Sequence, residues 1–173
     1  MQDWYKPSNP DKVKPFPWLA PKVIKKLESL LTPDMEVLEH GSGGSTLWFA
    51  ERVKFVLAIE QDLDWRRVIE KKLGKNRGAI CASLGDIIPS QRLLNGRFDL
   101  LLIDGEPVED RIRWLIAANN LVKAGGWVVL DNCNRPEYEK EFEALKARAV
   151  KVEILEGNVY PCKYLVTAFL RMP

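Results

Sequence analysis

Two carboxylates and a glycine-rich bend are the residues of this chain best suited to chemistry. Glu39 ends a short apolar run that begins at Val37. The chain then passes through His40-Gly41-Ser42-Gly43-Gly44 and restarts at Ser45-Thr46 on an amphipathic segment. That order is a strand, a tight loop and a helix start. Gly41, Gly43 and Gly44 let the backbone turn sharply and approach a ligand with no Cβ in the way, and Ser45 or Thr46 can cap the helix. Glu60 closes the next apolar run 21 positions later, close to the ~20-residue gap at which the acid of a nucleotide-binding βαβ unit reaches a ribose. A carboxylate accepts both hydrogen bonds of a vicinal diol, and Gln61 stands beside it. Together these residues suit a ligand that carries an ammonium group and a ribose.

The elements that must hold them alternate. Apolar runs at 36–39, 55–59, 79–82, 98–103 and 127–130 read as buried strands. Helical stretches are expected near 46–53, 63–73, 86–94 and 108–122, the last with the stripe Val108, Ile112, Leu115, Ile116 and Val122. A further helix near 136–148 presents Tyr138, Phe142, Leu145 and Ala149 on one side. Strands near 150–156 and 163–170 follow with too little chain between them for a helix, so they pair antiparallel. Continuous apolar strands alternating with helices give an α/β fold with a doubly wound, mostly parallel sheet covered on both faces. Ligands of such sheets sit beyond the carboxyl ends of the strands. The remaining polar residues fall at those ends: Gly85-Asp86, Asp104 and Asp131-Asn132.

At 173 residues and 46% apolar content, the chain fills one globular core. Residues 1–17 form an extended N-terminal segment, with Pro7, Pro10, Pro15 and Pro17 among Trp4, Tyr5 and Phe16; residues 18–173 form a single domain. A helix runs from Trp18 to Leu31, stopped by Thr32-Pro33-Asp34. Net charge is +2, so no global field calls for nucleic acid. The basic clusters at 22–26, 66–72 and 146–151 read as solvated helix faces. Cys81, Cys133 and Cys162 are far apart, which fits a reducing, cytoplasmic setting. No run reaches the ~18 apolar residues of a membrane span.

A nicotinamide dinucleotide competes for the glycine loop. Its G-x-G-x-x-G fingerprint needs a glycine where Thr46 stands, and an acid at Glu39 is out of place beside a pyrophosphate. A cationic ligand tolerates that acid, and S-adenosylmethionine is one. The chain resembles class I S-adenosylmethionine-dependent methyltransferases from about residue 20 to its end. Glu39-His-Gly-Ser-Gly-Gly-Ser45 is similar to the family's acid-x-Gly-x-Gly-x-Gly motif, with Ser45 replacing the last glycine. Glu60 resembles the ribose-binding acid, and Gly85-Asp86 the pair whose Asp meets the adenine amino group. Phe98 to Gly105, and Leu121 to Leu130 with Gly125-Gly126, resemble the segments that carry the fourth and fifth strands. The resemblance implies a Rossmann-like, seven-stranded sheet in the order 3-2-1-4-5-7-6 with strand 7 reversed. It also implies cofactor contacts from Glu39, Gly41, Ser42, Gly43, Ser45, Thr46, Glu60, Gln61, Asp86 and Asp104.

Methyl transfer to a small-molecule oxygen or nitrogen acceptor is the expected activity, with Asp104, Asp131 and Asn132 as the catalytic candidates. These three could also hold Mg²⁺, an arrangement that resembles the metal site of catechol-type O-methyltransferases. The chain departs from that pattern at Pro107, where such enzymes carry a lysine base; Glu106 and Glu109 are the other carboxylates at hand. A catalytically silent cofactor-binding or partner subunit of the same fold is the alternative. His40, the lone histidine, is expected to pack beside the loop, and Cys133 to fill apolar space. Arg135 can pair with Asp131 or with an acidic substrate. A homo-oligomer would help to finish an acceptor pocket that the short chain lacks.

Overall fold

Strand after strand is apolar at consecutive positions because both sheet faces are covered. The computed structural model describes residues 12–74, 78–82, 94–159 and 163–173, with backbone alone for 79–81, 159 and 163. The helix expected near 86–94 therefore lies, Leu94 apart, outside the described residues, as do Asp86, Cys162, Trp4 and Tyr5. The strands are β1 (Glu36–His40), β2 (Phe55–Ile59), β3 (Ala79–Ala82), β4 (Phe98–Ile103), β5 (Val122–Leu130), β6 (Lys151–Val159) and β7 (Lys163–Arg171). The helices are α1 (Pro21–Leu30), α2 (Gly44–Ala50), α3 (Leu63–Leu73), α4 (Val108–Leu121) and α5 (Glu139–Lys146). One mixed sheet runs β3-β2-β1-β4-β5-β7-β6. β7 is antiparallel to both β5 and β6, and the other pairings are parallel.

Neighbouring residues serve opposite faces, as strand geometry requires. Val37, Leu100, Leu102 and Val129 pack with α1 and α2, whereas Leu38, Leu101, Ile103, Val128 and Leu130 pack with α4 and α5. β1 and β4 are adjacent while their helices lie on opposite faces, so the switch point of the sheet falls between them.

Two boundaries and one helix face differ from expectation. α1 starts at Pro21, not Trp18, because Ala20 is extended and Pro21 occupies the first helical turn. Leu19 and Ala20 are buried all the same. α4 sets the expected stripe against the core, with Leu115 and Val122 buried and Val108 and Ile112 packed against them, but Ile116 is 66% exposed and Arg111, Trp114, Ala118 and Leu121 are buried as well. β5 begins at Val122, directly after α4, not near residue 127, and Gly125-Gly126 lie in a bulge inside it. Phe98 pairs with Val122 but Leu100 with Trp127. The bulge needs two glycines: Gly125 has φ +76°, and a Cβ on Gly126 would lie 2.9 Å from the Asp99 carbonyl.

Candidate functional site

The glycine loop is braced from below before it meets any ligand. Glu39, 2% exposed, accepts hydrogen bonds from Ser45 Oγ and from Thr46 Oγ1 (2.6 Å). Thr46 Oγ1 also accepts the Gly43 N–H at 2.9 Å, closing the first turn of α2. Burial lifts the Glu39 carboxyl to about pKa 7 against the pull of those two hydroxyls, and the nearby Glu60 charge adds to the rise. Glu39, Ser45 and Thr46, expected as direct cofactor contacts, are thus turned toward one another. Their mutual hydrogen bonds brace the loop.

Above the brace the loop is bare. Gly41 N–H reaches the Ile59 carbonyl at 2.8 Å, with φ +98°. A Cβ there would lie 2.8 Å from Gly105 Cα, so the loops after β1 and β4 touch backbone to backbone. A Cβ on Gly43 meets nothing within 4 Å, which leaves open space at the middle of the loop. Gly44 is bare for a different reason. A Cβ there would lie 2.6 Å from the Lys14 carbonyl and closer still to that of Phe16. The chain's own N-terminal segment, not a ligand, occupies that approach.

Glu60 sits half-buried at the end of β2. Its Oε2 accepts the Ser42 N–H and the Ser42 hydroxyl, both at 3.1 Å, and its Oε1 accepts the Asp62 N–H at 2.9 Å. Three of about four acceptor positions are in use, one of them by a hydroxyl that can rotate away. Asp62 caps α3 through the Trp65 N–H, and the Trp65 indole donates to the Ser42 carbonyl at 2.8 Å. Gln61 is exposed beside them. Trp65 was not foreseen; the sign was an Asp-x-x-Trp helix start directly after Glu60.

The ends of β4 and β5 are tied by a residue the sequence reading missed. Arg111, 1% exposed, donates to the carbonyls of Gly105 (2.9 Å), Asp131 (2.7 Å) and Asp104 (2.8 Å), and lies 3.4 Å from Asp104 Oδ1. Burial pulls its pKa down, but Asp104, Tyr138, Glu106 and Asp131 together outweigh that and raise it. In sequence Arg111 is one more charge on a helix, three positions from Val108. Asp104 keeps 31% side-chain exposure at the crevice.

Asp131 and Asn132 do not converge with it as metal ligands. Asp131 is 3% exposed; its two oxygens accept from Thr167 Oγ1 (2.6 Å) and Asn132 Nδ2 (2.7 Å). Asn132 Oδ1 accepts from Arg135 at 2.7 Å, and Arg135 also lies 3.5 Å from Glu106. With those oxygens committed and the Arg111 guanidinium beside Asp104, the donor set does not fit Mg²⁺. No group of three or more His, Cys, Asp or Glu suited to a metal occurs among the described residues. Instead, Asp131 and Asn132 hold the β5 turn, where Asn132 has φ +55° and the Tyr138 hydroxyl donates to its carbonyl. Arg135 pairs with Glu106 and donates to Asn132.

His40 packs as expected: 1% exposed and stacked on Trp114 at 5.4 Å. Burial and the Arg111 charge lower its pKa to about 3. Cys133 is buried and its thiol is pushed up to about 11, chiefly by desolvation, which disfavours the thiolate that a nucleophile needs. Pro107 and Glu109 are exposed.

No protein-family model matches the chain, and no curated protein matches it in sequence. Solved structures do. The precorrin-8w decarboxylase of Methanobacterium thermoautotrophicum superposes with a TM-score of 0.68 at 21% identity, covering 94% of each chain. A tRNA (m1A58) methyltransferase from Aquifex aeolicus gives 0.66 at 14% identity, over 87% of this chain and 68% of that one. An S-adenosylmethionine-dependent O-methyltransferase from Thermotoga maritima gives 0.62 at 17% identity, over 86% and 63%. The chain has the Rossmann-like fold of class I methyltransferases. Within that fold, the glycine loop, Glu60 and Asp104 lie at the carboxyl ends of β1, β2 and β4, around the switch point.

Proposed function

We propose that the chain is an S-adenosylmethionine-dependent methyltransferase acting on a small-molecule oxygen or nitrogen acceptor. The observation that carries this reading is Glu60, a carboxylate hydrogen-bonded to the glycine loop at Ser42, next to the open space at Gly43. When bound, the cofactor supplies an electrophilic methyl carbon on a sulfonium. The chain's part is recognition and orientation. Glu60 accepts the ribose hydroxyls once Ser42 Oγ rotates away, with Gln61 beside it. Gly41, Ser42 and Gly43 present backbone to the ligand, and Asp86 is the proposed partner of the adenine amino group. Glu39 acts through the loop as a buried charge that favours the ammonium group, while Ser45 and Thr46 hold that charge in position.

Asp104, steadied by Arg111, is the group proposed to accept a hydrogen bond from the acceptor O–H or N–H. With the cofactor held by the loop and Glu60, its sulfonium would supply the methyl carbon to the acceptor's lone pair, and the acceptor's proton would pass from the O–H or N–H oriented by Asp104 to water. Asp131 and Asn132 contribute by fixing the β5 turn. Positioning alone supplies much of the acceleration in such a displacement, so no metal step is needed.

A second reading, a cofactor-binding protein without turnover, is favoured by one observation: Asp131 and Asn132 have their side-chain oxygens committed inward. Titration of S-adenosylmethionine, followed by a panel of acceptors, separates the two. Binding with labelled product supports the methyltransferase; binding with none supports the second reading. Glu60→Ala is expected to weaken cofactor affinity by about 1.5–3 kcal/mol, the scale of hydrogen bonds to a charged group. Unchanged affinity removes Glu60 from the site. One fold neighbour is a tRNA (m1A58) methyltransferase, so a tRNA transcript belongs in the panel.

A further inference from the structure

Among the described residues β6 is the last strand of the sheet, nine residues long and without proline. On the side of α4 and α5 its partners in β7, Leu170 and Ala168, are buried, but Val152 and Ile154 opposite them are 36% and 49% exposed. Val150, just before the strand, is 64% exposed. A long apolar edge with unpaired backbone groups is a template for another strand. We propose that it pairs with the same edge of a second copy of this chain, antiparallel about a two-fold axis at Val152.

The order of side chains selects that occupant and that register. With Val152 facing itself, Val150 of each copy faces Ile154 of the other, and Lys151 of each faces Glu153 of the other. Arg148, just before the strand, comes opposite Glu156. Every apolar residue from 150 to 154 then meets an apolar one, and every charge meets its opposite. Centring the pair on Lys151 or Glu153 instead sets like charges face to face. Lys151 and Glu153 already touch within one chain, and Lys26 of α1 joins Glu153 at 2.9 Å; in the pair these ions form a ladder across the two-fold axis. Each copy buries its exposed strip and completes its edge, giving a closed, isologous dimer.

The inference is independent of the proposed reaction and is tested on the full chain by light scattering coupled to gel filtration. The expected parent species has twice the chain mass, and Val152→Lys, which sets two ammonium groups opposite each other at an exposed position, halves it. Lys151→Glu and Glu153→Lys each put like charges across the axis and are expected to be monomeric alone. Mixed, they are expected to recover the doubled mass, because one then carries two acids where the other carries two lysines. A parent that stays monomeric at concentrations up to ~1 mM overturns the proposal. So does a dimer indifferent to Val152→Lys, or a mixture of the two charge variants that remains monomeric.

Discussion

Glu39 and Glu60 are both acids at strand ends, yet burial gives them different work. Glu60, half-exposed, is left to meet a ligand; Glu39 is sealed under the loop, where its protonation state matters more than its contacts. A carboxyl raised from 4.5 to about 7 contributes stability that is full below about pH 4.5 and lost as pH rises through 7, up to ~3 kcal/mol. His40, lowered from 6.5 to about 3, has the opposite slope: it is neutral in the folded state, so stability falls as pH drops from 6.5 toward 3. Between pH 4.5 and 6.5 the two neighbours oppose each other. In Glu39→Gln the decline toward neutral pH should vanish, leaving stability that rises from pH 3 to 6.5, measured by urea unfolding across that range. Parallel profiles for parent and variant would show that Glu39 is not raised. The same variant should flatten an increase in cofactor affinity between pH 6 and 8, since only the ionised carboxylate attracts the ammonium group. At this scale residue types were legible and directions were not. Glu39, Ser45 and Thr46 stood in the right loop, but their mutual hydrogen bonds appear only once α2 folds back over the end of β1.

The elements that shape the crevice are held by backbone contacts. Gly41 touches Gly105 because the loops after β1 and β4 leave adjacent parallel strands side by side. Gly41→Ala brings both a positive φ and a Cβ 2.8 Å from Gly105 Cα, so it should destabilise by roughly 1–3 kcal/mol and weaken cofactor binding as the loops part. Thermal unfolding and titration of that variant check both effects; unchanged values for both would mean that the contact is unimportant. Arg111→Met removes the donors to three carbonyls at the ends of β4 and β5 and should lower stability by about 3 kcal/mol or more, read from the urea midpoint. A loss below ~1 kcal/mol would mean that water replaces the guanidinium without penalty. The strands were legible because covering both faces forces continuous apolar runs. On α4 the burial of Arg111 and the exposure of Ile116 were not, since a buried arginine mimics a surface one and Ile116 fits the same apolar period as Ile112 and Leu115. The bulge in β5 depends on Asp99 of the neighbouring strand, which no local pattern reports.

Across the whole molecule, the basic clusters noted in the sequence are largely answered by nearby acids. Arg66 lies by Glu70, Arg67 by Asp64, Lys146 by Glu143, and Lys26 and Lys151 by Glu153. With a net charge of +2 and this local pairing, RNA should bind weakly and with a shallow salt slope. Filter binding in low and physiological salt tests this, and a steep loss of affinity with salt would point to a nucleic-acid substrate. No described helix is long and apolar enough to cross a membrane. The α/β architecture was legible from alternation alone, whereas the close approach of residues 14–16 to Gly44 was not, because an extended segment carries no periodicity to say where it lands. The central claim is that a bare loop beside Glu60 accepts a sulfonium nucleoside, and calorimetric titration with the demethylated product, S-adenosylhomocysteine, tests it most directly. Saturable heat at one ligand per chain, weakened by Glu60→Ala, is the predicted result. The absence of heat from the folded parent protein would contradict it.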